Sequence, residues 1–360
     1  METYQAALIG CSRMGAFIDN EVDESRGAYS HAAGYEACDR TELVACSDLR
    51  EEVMEKVGER YGVPKERQYT DYRKMLDEVQ PQIVSVATQP EQRAEIVIDA
   101  AENGAKAIYA EKAMAASMAE ADAMVAACEA NEVFFNLGTN RRWDPGYDAM
   151  KDVIDSGRIG ELQSLIIHQT GSLFNTASHC FDLLMRLNSD HPVSWVQAQL
   201  SSGADAIDGD VLGADPVGQG TIQFANGVTA YALNSGRGLE VEAVGKQGVV
   251  TALQNGAEWQ VREVGGHDHR GRNVLTQGRF PAFEPASSTL RLIEDLVQAL
   301  DTGNPTRCGV STARANNELI FGFIESHQRG GARVDFPLGE SRYRLARGGA
   351  PRQPKFERDA

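Results

Sequence analysis

Short apolar runs alternate with longer amphipathic runs over the first 140 residues of the chain. The apolar runs predict buried strands at Ala6–Gly10, Glu42–Ser47, Gln82–Thr88, Ala105–Ala110 and Val133–Leu137. The amphipathic runs predict helices at Arg13–Asp19, Arg50–Tyr61, Tyr72–Val79, Gln92–Asn103 and Ala115–Ala130. Strands that alternate with helices are typical of a doubly wound parallel sheet with helices on both faces. Such a sheet binds its ligands beyond the carboxyl ends of the strands.

The pattern changes after residue 140, where longer alternating segments are separated by turns such as Asn226-Gly227. They predict strands at Leu162–Gln169, Val193–Leu200, Gly220–Phe224, Val228–Asn234, Glu240–Val244, Gly248–Leu253, Glu258–Val264 and Arg333–Phe336. Helices are predicted at Pro145–Ser156, Ser178–Leu187, Ser288–Leu300 and Ser311–His327, and a loop at Gly265–Asn273. We therefore expect an α/β protein. A parallel-sheet domain spans residues 1–140, an α+β domain with a large, mostly antiparallel open sheet spans 141–340, and a tail spans 341–360.

Composition and charge exclude several classes of partner. The chain has 42% hydrophobic residues, a net charge of −17 and a pI near 4.9. Nucleic acids and anionic membrane surfaces need a basic protein face, so we predict neither as a partner. The sequence has no apolar run of membrane-spanning length, no signal-peptide pattern and no CxxC among its six cysteines. We expect a cytoplasmic chain with reduced thiols.

A glycine-containing turn follows the first predicted strand and opens a helix. Gly10 and Gly15 frame it, and Ser12 stands where a middle glycine is usual. Glycines in this context permit a tight turn, and the helix N-terminus offers N–H groups to phosphate. We assign Gly10, Ser12, Arg13, Met14 and Gly15 to a dinucleotide site. The alternative is an ordinary turn between a strand and a helix.

Asp48 ends the second predicted strand, where an acid binds the adenosine ribose hydroxyls and favours NAD. Its distance of 33 residues from Gly15 is long, and we attribute the excess to a loop insertion at Asn20–Tyr29. Arg50 could accept a 2′-phosphate, so NADP stays possible. Asp48 could alternatively cap the next helix. Further residues expected to line the cofactor follow the later strands: Thr88, Gln89, Pro90, Glu111 and Lys112.

Two residues are candidates for proton transfer. Lys112 follows an apolar strand, and a lysine that is partly desolvated there can share a proton with a substrate hydroxyl. The alternative is a surface lysine paired with Glu111. His179 lies at a predicted helix start, where Asn175, His179 and Asp182 would share one helical face. His179 is expected to take a hydroxyl proton, and the alternative is a core or capping histidine.

Other polar residues are candidates for substrate binding. Asn175 and Asp182 flank His179, and the Asn140–Pro145 segment offers Arg141 or Arg142 together with Trp143. An ion pair between the domains is the alternative for the arginines. A metal site made of His179, Asp182, His267 and His269 is disfavoured because no ligand spacing is diagnostic, so we predict no metal.

Read together, these segments resemble the Gfo/Idh/MocA family of oxidoreductases, named for glucose–fructose oxidoreductase and inositol dehydrogenase. The resemblance covers nearly the whole chain, and its markers in order are Ala7–Gly15, Leu43–Asp48, Val84–Pro90, Ala110–Ala113, Asn140–Pro145, Ser156–Gly160 and Asn175–Asp182. It implies a Rossmann domain, then an open-sheet domain for substrate binding and for assembly into a homodimer or homotetramer. It also implies NAD or NADP as cofactor, Lys112 as the lysine of a Glu-Lys-Pro motif, and His179 as the catalytic histidine.

Three residues depart from the family pattern: Ala113 replaces a proline, Asn175 replaces a frequent aspartate, and Ser12 replaces a glycine. We predict an NAD(P)-dependent oxidoreductase that transfers a hydride between a secondary hydroxyl of a cyclic polyol, sugar or glycoside and the nicotinamide. Lys112 and His179 are expected to converge on one pocket and to handle the proton. The alternatives are an NAD-dependent glycoside-cleaving enzyme that works by oxidation and elimination, and a non-enzymatic dinucleotide-binding regulator.

Overall fold

The computed structural model describes residues 3–168, 171–347 and 353–358, and the chain forms two compact units. The first unit takes its described residues from Met1–Trp143, Ala286–Ala315 and Arg347–Ala360, and the second from Asp144–Pro285 and Asn316–Ala346. The functional domain limits at residues 140 and 340 remain predictions. Gln169, where one predicted strand ends, and residues 348–352 and 359–360 of the predicted tail lie outside the described residues.

A six-stranded parallel sheet forms the centre of the first unit. Its strands are β1 (Tyr4–Ile9), β2 (Thr41–Ser47), β3 (Gln68–Tyr69), β4 (Ile83–Val86), β5 (Ala107–Ala110) and β6 (Phe134–Leu137). They are ordered β3-β2-β1-β4-β5-β6, and all neighbouring strands are parallel. Every residue of β4 and β5 is buried, as expected for strands covered on both faces. The predicted doubly wound parallel sheet is therefore confirmed.

Helices flank the sheet strands along the chain. They are α1 (His31–Ala37), α2 (Glu51–Tyr61), α3 (Tyr72–Val79), α4 (Pro90–Glu102) and α5 (Met118–Ala130). Local signals define their ends. Gly62 ends α2 in the left-handed conformation, with a φ of 76°, and Pro90 occupies the first turn of α4, where its missing N–H costs nothing.

The segment after the glycine turn differs from its prediction. The predicted helix at Arg13–Asp19 is one turn of π-helix at Arg13–Phe17, followed by a 3₁₀ turn at Ile18–Asn20. The α-helix forms only after the insertion, as α1, which the sequence pattern did not predict. Asp19 closes the inserted loop by accepting hydrogen bonds from the backbone N–H groups of Tyr29 (2.7 Å) and Ser30 (3.2 Å). The insertion thus divides the first helix in two.

The second unit is built on a nine-stranded sheet. Its elements and those of a small three-stranded sheet are α6 (Pro145–Asp155), β7 (Leu162–His168), α7 (Ser178–Leu187), β8 (Val193–Ser202), β9 (Ile207–Asp208), β10 (Val211–Leu212), β11 (Val217–Phe224), β12 (Thr229–Leu233), β13 (Val241–Gly245), β14 (Gly248–Leu253), β15 (Glu258–His267), β16 (Asn273–Gly278), β17 (Val334–Asp335) and β18 (Arg344–Leu345). The remaining helices of the chain are α8 (Ser288–Thr302), in the first unit, and α9 (Val310–Gln328).

The large sheet has the order β16-β15-β14-β13-β7-β12-β11-β8-β17. Among its described pairs, β7 and β12 run parallel and the others run antiparallel, which confirms the predicted mostly antiparallel sheet. The predicted loop at Gly265–Asn273 is wrong at both ends, because β15 extends to His267 and pairs there with Asn273 of β16. Strand pairing uses backbone groups, so the polar, Gly-rich composition did not prevent it.

Close packing at Gly15 generates a stability prediction. A Cβ atom on Gly15 would lie 2.0 Å from the carbonyl oxygen of Gly10, so Gly15→Ala must displace backbone. We expect the variant to lose about 1–3 kcal/mol of unfolding free energy, the usual cost of overpacking, and to melt several degrees lower. The control is Gly236→Ala, where a Cβ meets no atom within 4 Å. Equal melting temperatures for the two variants in circular dichroism would contradict the close contact.

Candidate active site

The glycine turn lies at the carboxyl ends of β1 and β4, where the strand order reverses. Gly10 has a φ of 90°, and a Cβ there would lie 3.0 Å from the carbonyl carbon of Ala87. The Ala87 N–H donates to the carbonyl of Ile9 at 2.8 Å, which joins the ends of the two strands. Dinucleotides bind parallel sheets in the crevice at this reversal. The turn therefore has the position and the close backbone approach that a dinucleotide site requires.

Of the four residues between the two glycines, Cys11 is buried, and Ser12, Arg13 and Met14 are half-buried. The Nε atom of Arg13 donates to the carboxylate of Glu21 at 2.8 Å, so a residue of the inserted loop holds this cation beside the turn. The sequence placed Arg13 in the phosphate region but did not predict its acidic partner.

Asp48 joins the glycine turn to the loop after β2. Its Oδ2 accepts from the Cys11 N–H at 3.0 Å, and its Oδ1 accepts from the Arg50 N–H at 3.0 Å and from the Arg50 Nε at 3.1 Å. The N-cap of α2 is Arg50, whose side chain makes no capping bond. A carboxylate has about four acceptor positions, so Asp48 can still accept from ribose hydroxyls. The residues present therefore suit the adenosine end of a dinucleotide.

A buried arginine links the loops after β4 and β5. Arg93, which lies in α4, donates hydrogen bonds to the backbone carbonyls of Thr88 and Ala113. Burial lowers the pKa of Arg93 to about 10, which still leaves the guanidinium charged at neutral pH. Thr88, Gln89 and Pro90 were expected in this region, whereas Arg93 was not. A charged residue inside the apolar face of α4 was the available signal.

The Glu111 carboxylate is held in place by a series of buried polar contacts. Its Oε1 lies 3.3 Å from Nε2 of His31, and its Oε2 accepts from the backbone N–H of Lys112 at 3.3 Å. The other ring nitrogen of His31 lies 2.9 Å from Oγ of Ser85, and the imidazole stacks on Tyr109 with ring centroids 3.7 Å apart. Lys112 itself is half-buried at the sheet edge. The chain of contacts thus fixes the backbone from which the Lys112 side chain extends.

The turn at Lys112 and Ala113 has a defined conformation, although it lacks the proline of the Glu-Lys-Pro motif. The peptide bond between Lys112 and Ala113 is cis, and Ala113 is fully buried. Backbone atoms on both sides of this bond are held, at Lys112 by Glu111 and at Ala113 by Arg93. These contacts restrain the turn, although Ala113 stands in place of the proline.

Burial and neighbouring polar groups together set the charges of His31 and Glu111. Burial lowers the pKa of His31, so its imidazole is neutral near pH 7. Burial opposes ionisation of Glu111, but the hydrogen bond from His31 and the charges of Lys112 and Arg93 outweigh it and hold the pKa of Glu111 below its ordinary value. A neutral His31 that donates to Glu111 accepts from Ser85 at its other nitrogen. The carboxylate beside Lys112 is therefore ionised.

In the second unit, His179 lies in the first turn of α7. A π-helical turn at Leu173–Ala177 leads into this helix, and the Asp215 carboxylate accepts from the N–H groups of Phe174 (2.9 Å) and Asn175 (3.1 Å). Asn316 donates to the carbonyl of Ser178 at 2.8 Å. These long-range contacts fix the start of the helix, and no local sequence pattern indicated them.

The three residues of the predicted helical face differ in burial. His179 is half-buried, Asp182 is fully buried and Asn175 is exposed. Asn175 lies in the π-helical turn, so the regular α-helical spacing assumed from the sequence does not extend back to it. The substrate-binding roles of Asn175 and Asp182 remain predictions.

The Asn140–Trp143 segment forms a 3₁₀ turn in the first unit. Trp143 and Arg142 are buried, and Nη1 of Arg142 donates to the carbonyl of Arg307 at 3.1 Å. Arg141 is half-buried. Arg142 therefore has a structural contact, and the substrate roles of Arg141 and Trp143 remain predictions.

A metal-binding cluster and a membrane-spanning helix are both absent from the described residues. Within the described ranges, no three His, Cys, Asp or Glu side chains are grouped so that they could hold a metal ion. Nor does any helix in that part of the chain have the length and apolar character needed to cross a bilayer.

A cavity of about 340 Å³ is lined by residues that include Arg40 and Asp301. Arg40 precedes β2, so this cavity lies toward the amino end of that strand, away from the carboxyl edge that carries Asp48.

The chain is similar to known proteins in sequence and in fold. Residues 5–139 match the model of an oxidoreductase family with an NAD-binding Rossmann fold, GFO_IDH_MocA. Myo-inositol 2-dehydrogenase of Thermotoga maritima is 24% identical over 314 residues, which cover 81% of this chain and 90% of that protein. D-apiose dehydrogenase of Paraburkholderia graminis is 33% identical over 160 residues, which cover 44% of this chain and 38% of that protein.

Solved structures share the fold across both units. Levoglucosan dehydrogenase, in a complex with NADH and levoglucosan, is similar with a TM-score of 0.70 and 20% identity, covering 93% of this chain and 100% of that one. Aldose–aldose oxidoreductase from Caulobacter crescentus, complexed with glycerol, has a TM-score of 0.73 and 18% identity. The match covers 93% of this chain and 100% of that one. Identities this low establish the architecture alone.

The buried imidazole of His31 predicts a pH-dependent stability. Because its pKa is lowered in the folded protein, the unfolded chain binds a proton that the folded chain does not, and stability falls as pH drops below about 6.5. We expect the unfolding free energy of the wild type, measured by urea denaturation, to decrease between pH 7.5 and 5.5, with a slope of at most about 1.4 kcal/mol per pH unit from this group. The His31→Gln variant should have a shallower slope. Identical slopes in the two proteins would contradict the buried neutral imidazole.

Proposed function

We propose that this chain, whose residues 5–139 match the Gfo/Idh/MocA family of oxidoreductases, is an NAD(P)-dependent dehydrogenase of a secondary hydroxyl on a cyclic polyol, sugar or glycoside. The observation that carries the proposal is the Lys112 turn, which follows β5 at the carboxyl edge of the sheet and is anchored by the buried Glu111. The inositol and apiose dehydrogenases among the relatives support the substrate class. We also propose that the chain forms a homodimer or homotetramer.

The nicotinamide cofactor would supply the hydride acceptor, and the glycine turn with Asp48 would hold it. Lys112 donates a hydrogen bond to the substrate oxygen and stabilises the negative charge that develops there. His179 takes the hydroxyl proton, since a partly buried imidazole can act as a base near neutral pH. Glu111 keeps the lysine turn in position, and its negative charge balances the ammonium group.

The substrate class can be tested directly with purified protein. A panel of cyclic polyols, aldoses and glycosides is scored for reduced nicotinamide with NAD and with NADP. The proposal expects reduction of the cofactor by at least one compound of the panel. Glycoside cleavage without net cofactor reduction would instead favour the elimination mechanism, and cofactor binding without either reaction would favour a regulator.

The Lys112→Met variant tests the proposed lysine role. It should lower kcat by at least about a hundredfold, the scale of one lost proton-transfer or electrostatic group, while cofactor affinity changes only a few-fold. The matched control is Lys106→Met, because Lys106 is exposed and precedes the opposite end of β5. Steady-state kinetics and cofactor titration give both quantities. Unchanged turnover in Lys112→Met would exclude the role.

The His179→Asn variant tests the proposed base. In the wild type, kcat/KM should fall on the acidic side as the imidazole becomes protonated and can no longer accept the hydroxyl proton. The variant should be slower by about a hundredfold or more and should lack this acidic limb. His191→Asn is the control, because His191 is exposed beyond the other end of α7. A variant that retains the wild-type pH profile would rule out His179 as the base.

A further inference from the structure

Residues 353–358 lie against the cofactor edge of the first unit. Asn20 donates to the carbonyl of Lys355 at 2.7 Å, and Nη2 of Arg358 donates to the carbonyl of Asp19 at 2.7 Å. The Phe356 ring packs edge-on against Phe17, with centroids 5.1 Å apart. We name residues Gln353–Arg358 the C-terminal strap. The strap is thus attached by polar and apolar contacts that come from widely separated parts of the sequence.

The residues in contact with the strap continue directly from the glycine turn. Phe17 ends the π-helical turn that begins at the glycine motif, and Asp19 and Asn20 continue directly from it. Phe356 also packs against the buried apolar cluster that contains Cys11 and Ala16. The strap therefore supports the turn whose N–H groups would face phosphate.

One strap residue reaches the adenosine end of the site. The Gln353 side chain accepts from Nη1 of Arg50 at 3.4 Å and donates to Oε1 of Glu52 at 3.3 Å. Arg50 also donates from Nε to Asp48 at 3.1 Å. The guanidinium of Arg50 is therefore held between the ribose-binding carboxylate and the strap.

This arrangement affects the choice between the two cofactors. A 2′-phosphate needs a cation turned toward it, and arginine provides one when its guanidinium is available. Here the Arg50 guanidinium is engaged by Asp48 and Gln353, and the carboxylate of Glu52 lies at the other end of Gln353. A negative phosphate entering this corner must therefore displace Arg50 from its partners close to two carboxylates.

We propose that the C-terminal strap is part of the dinucleotide site and that Gln353 is a specificity residue, which keeps Arg50 on Asp48 and makes the protein prefer NAD to NADP. This inference rests on the proposed function, since it assumes that a dinucleotide binds at the glycine turn. Gln353 acts through Arg50, so it is a positioning residue and takes no part in proton transfer. A strap that only stabilises the fold would not alter the ratio of the two affinities.

The test measures dissociation constants for NAD and for NADP by calorimetry on the full-length protein. In Gln353→Ala the NAD preference over NADP should fall about tenfold, the scale of one hydrogen bond to a charged group. In the Arg50→Ala background the same Gln353→Ala change should leave the ratio unaltered, because the two residues act through one contact. Gln298→Ala is the matched control and should bind both cofactors like the wild type, because Gln298 is exposed on α8 beside the cavity at the amino end of β2.

The outcomes separate the inference from the proposed function. If the wild type binds a dinucleotide and Gln353→Ala keeps the wild-type ratio, the inference is overturned and the dehydrogenase proposal stands. The inference is equally overturned if Gln353→Ala changes the ratio as much without Arg50 as with it. If the wild type binds neither dinucleotide, the proposed function fails and the inference fails with it. The melting temperature of Gln353→Ala should match that of the wild type, because Gln353 is exposed.

Discussion

The candidate site depends on the burial of one ionised carboxylate, that of Glu111, directly before Lys112. A buried charge without partners is strongly destabilising, so this side chain constrains everything around it. Its requirements are met by the imidazole of His31 and by the backbone N–H of Lys112. The lysine turn therefore cannot move independently of the polar chain beneath it. A defined starting position for the Lys112 side chain follows from that constraint.

A second restraint acts on the same turn from another direction. The guanidinium of Arg93 contacts carbonyls on the loops after β4 and β5, so these two loops are joined at the sheet edge. Because fixed polar groups cost no reorganisation during a reaction, such an arrangement suits the stabilisation of developing charge. The glycine turn and Asp48 complete the edge by offering backbone N–H groups and a carboxylate at its other end. The same edge thus holds the features needed for binding and those proposed for chemistry.

Sequence patterns predicted the parts of the protein that depend on local periodicity. The buried runs that became β4 and β5 and the first-turn proline of α4 were recognised because strand burial and proline geometry are local properties. The partner of Glu111 was not, because His31 follows an insertion and lies 80 residues earlier in the chain. The strap was missed for the same reason, since its contacts join residues more than 300 positions apart. Neither periodicity nor motif spacing carries information about such contacts.

The central claim, that Lys112 is held where it can act on a substrate hydroxyl, is tested most directly by a crystal structure with nicotinamide cofactor and a non-reactive polyol bound. The account predicts Nζ of Lys112 within about 3.2 Å of a polyol oxygen, with the bond between Glu111 and His31 intact. A structure in which the cofactor binds elsewhere, or in which Lys112 points into solvent away from the polyol, would contradict it.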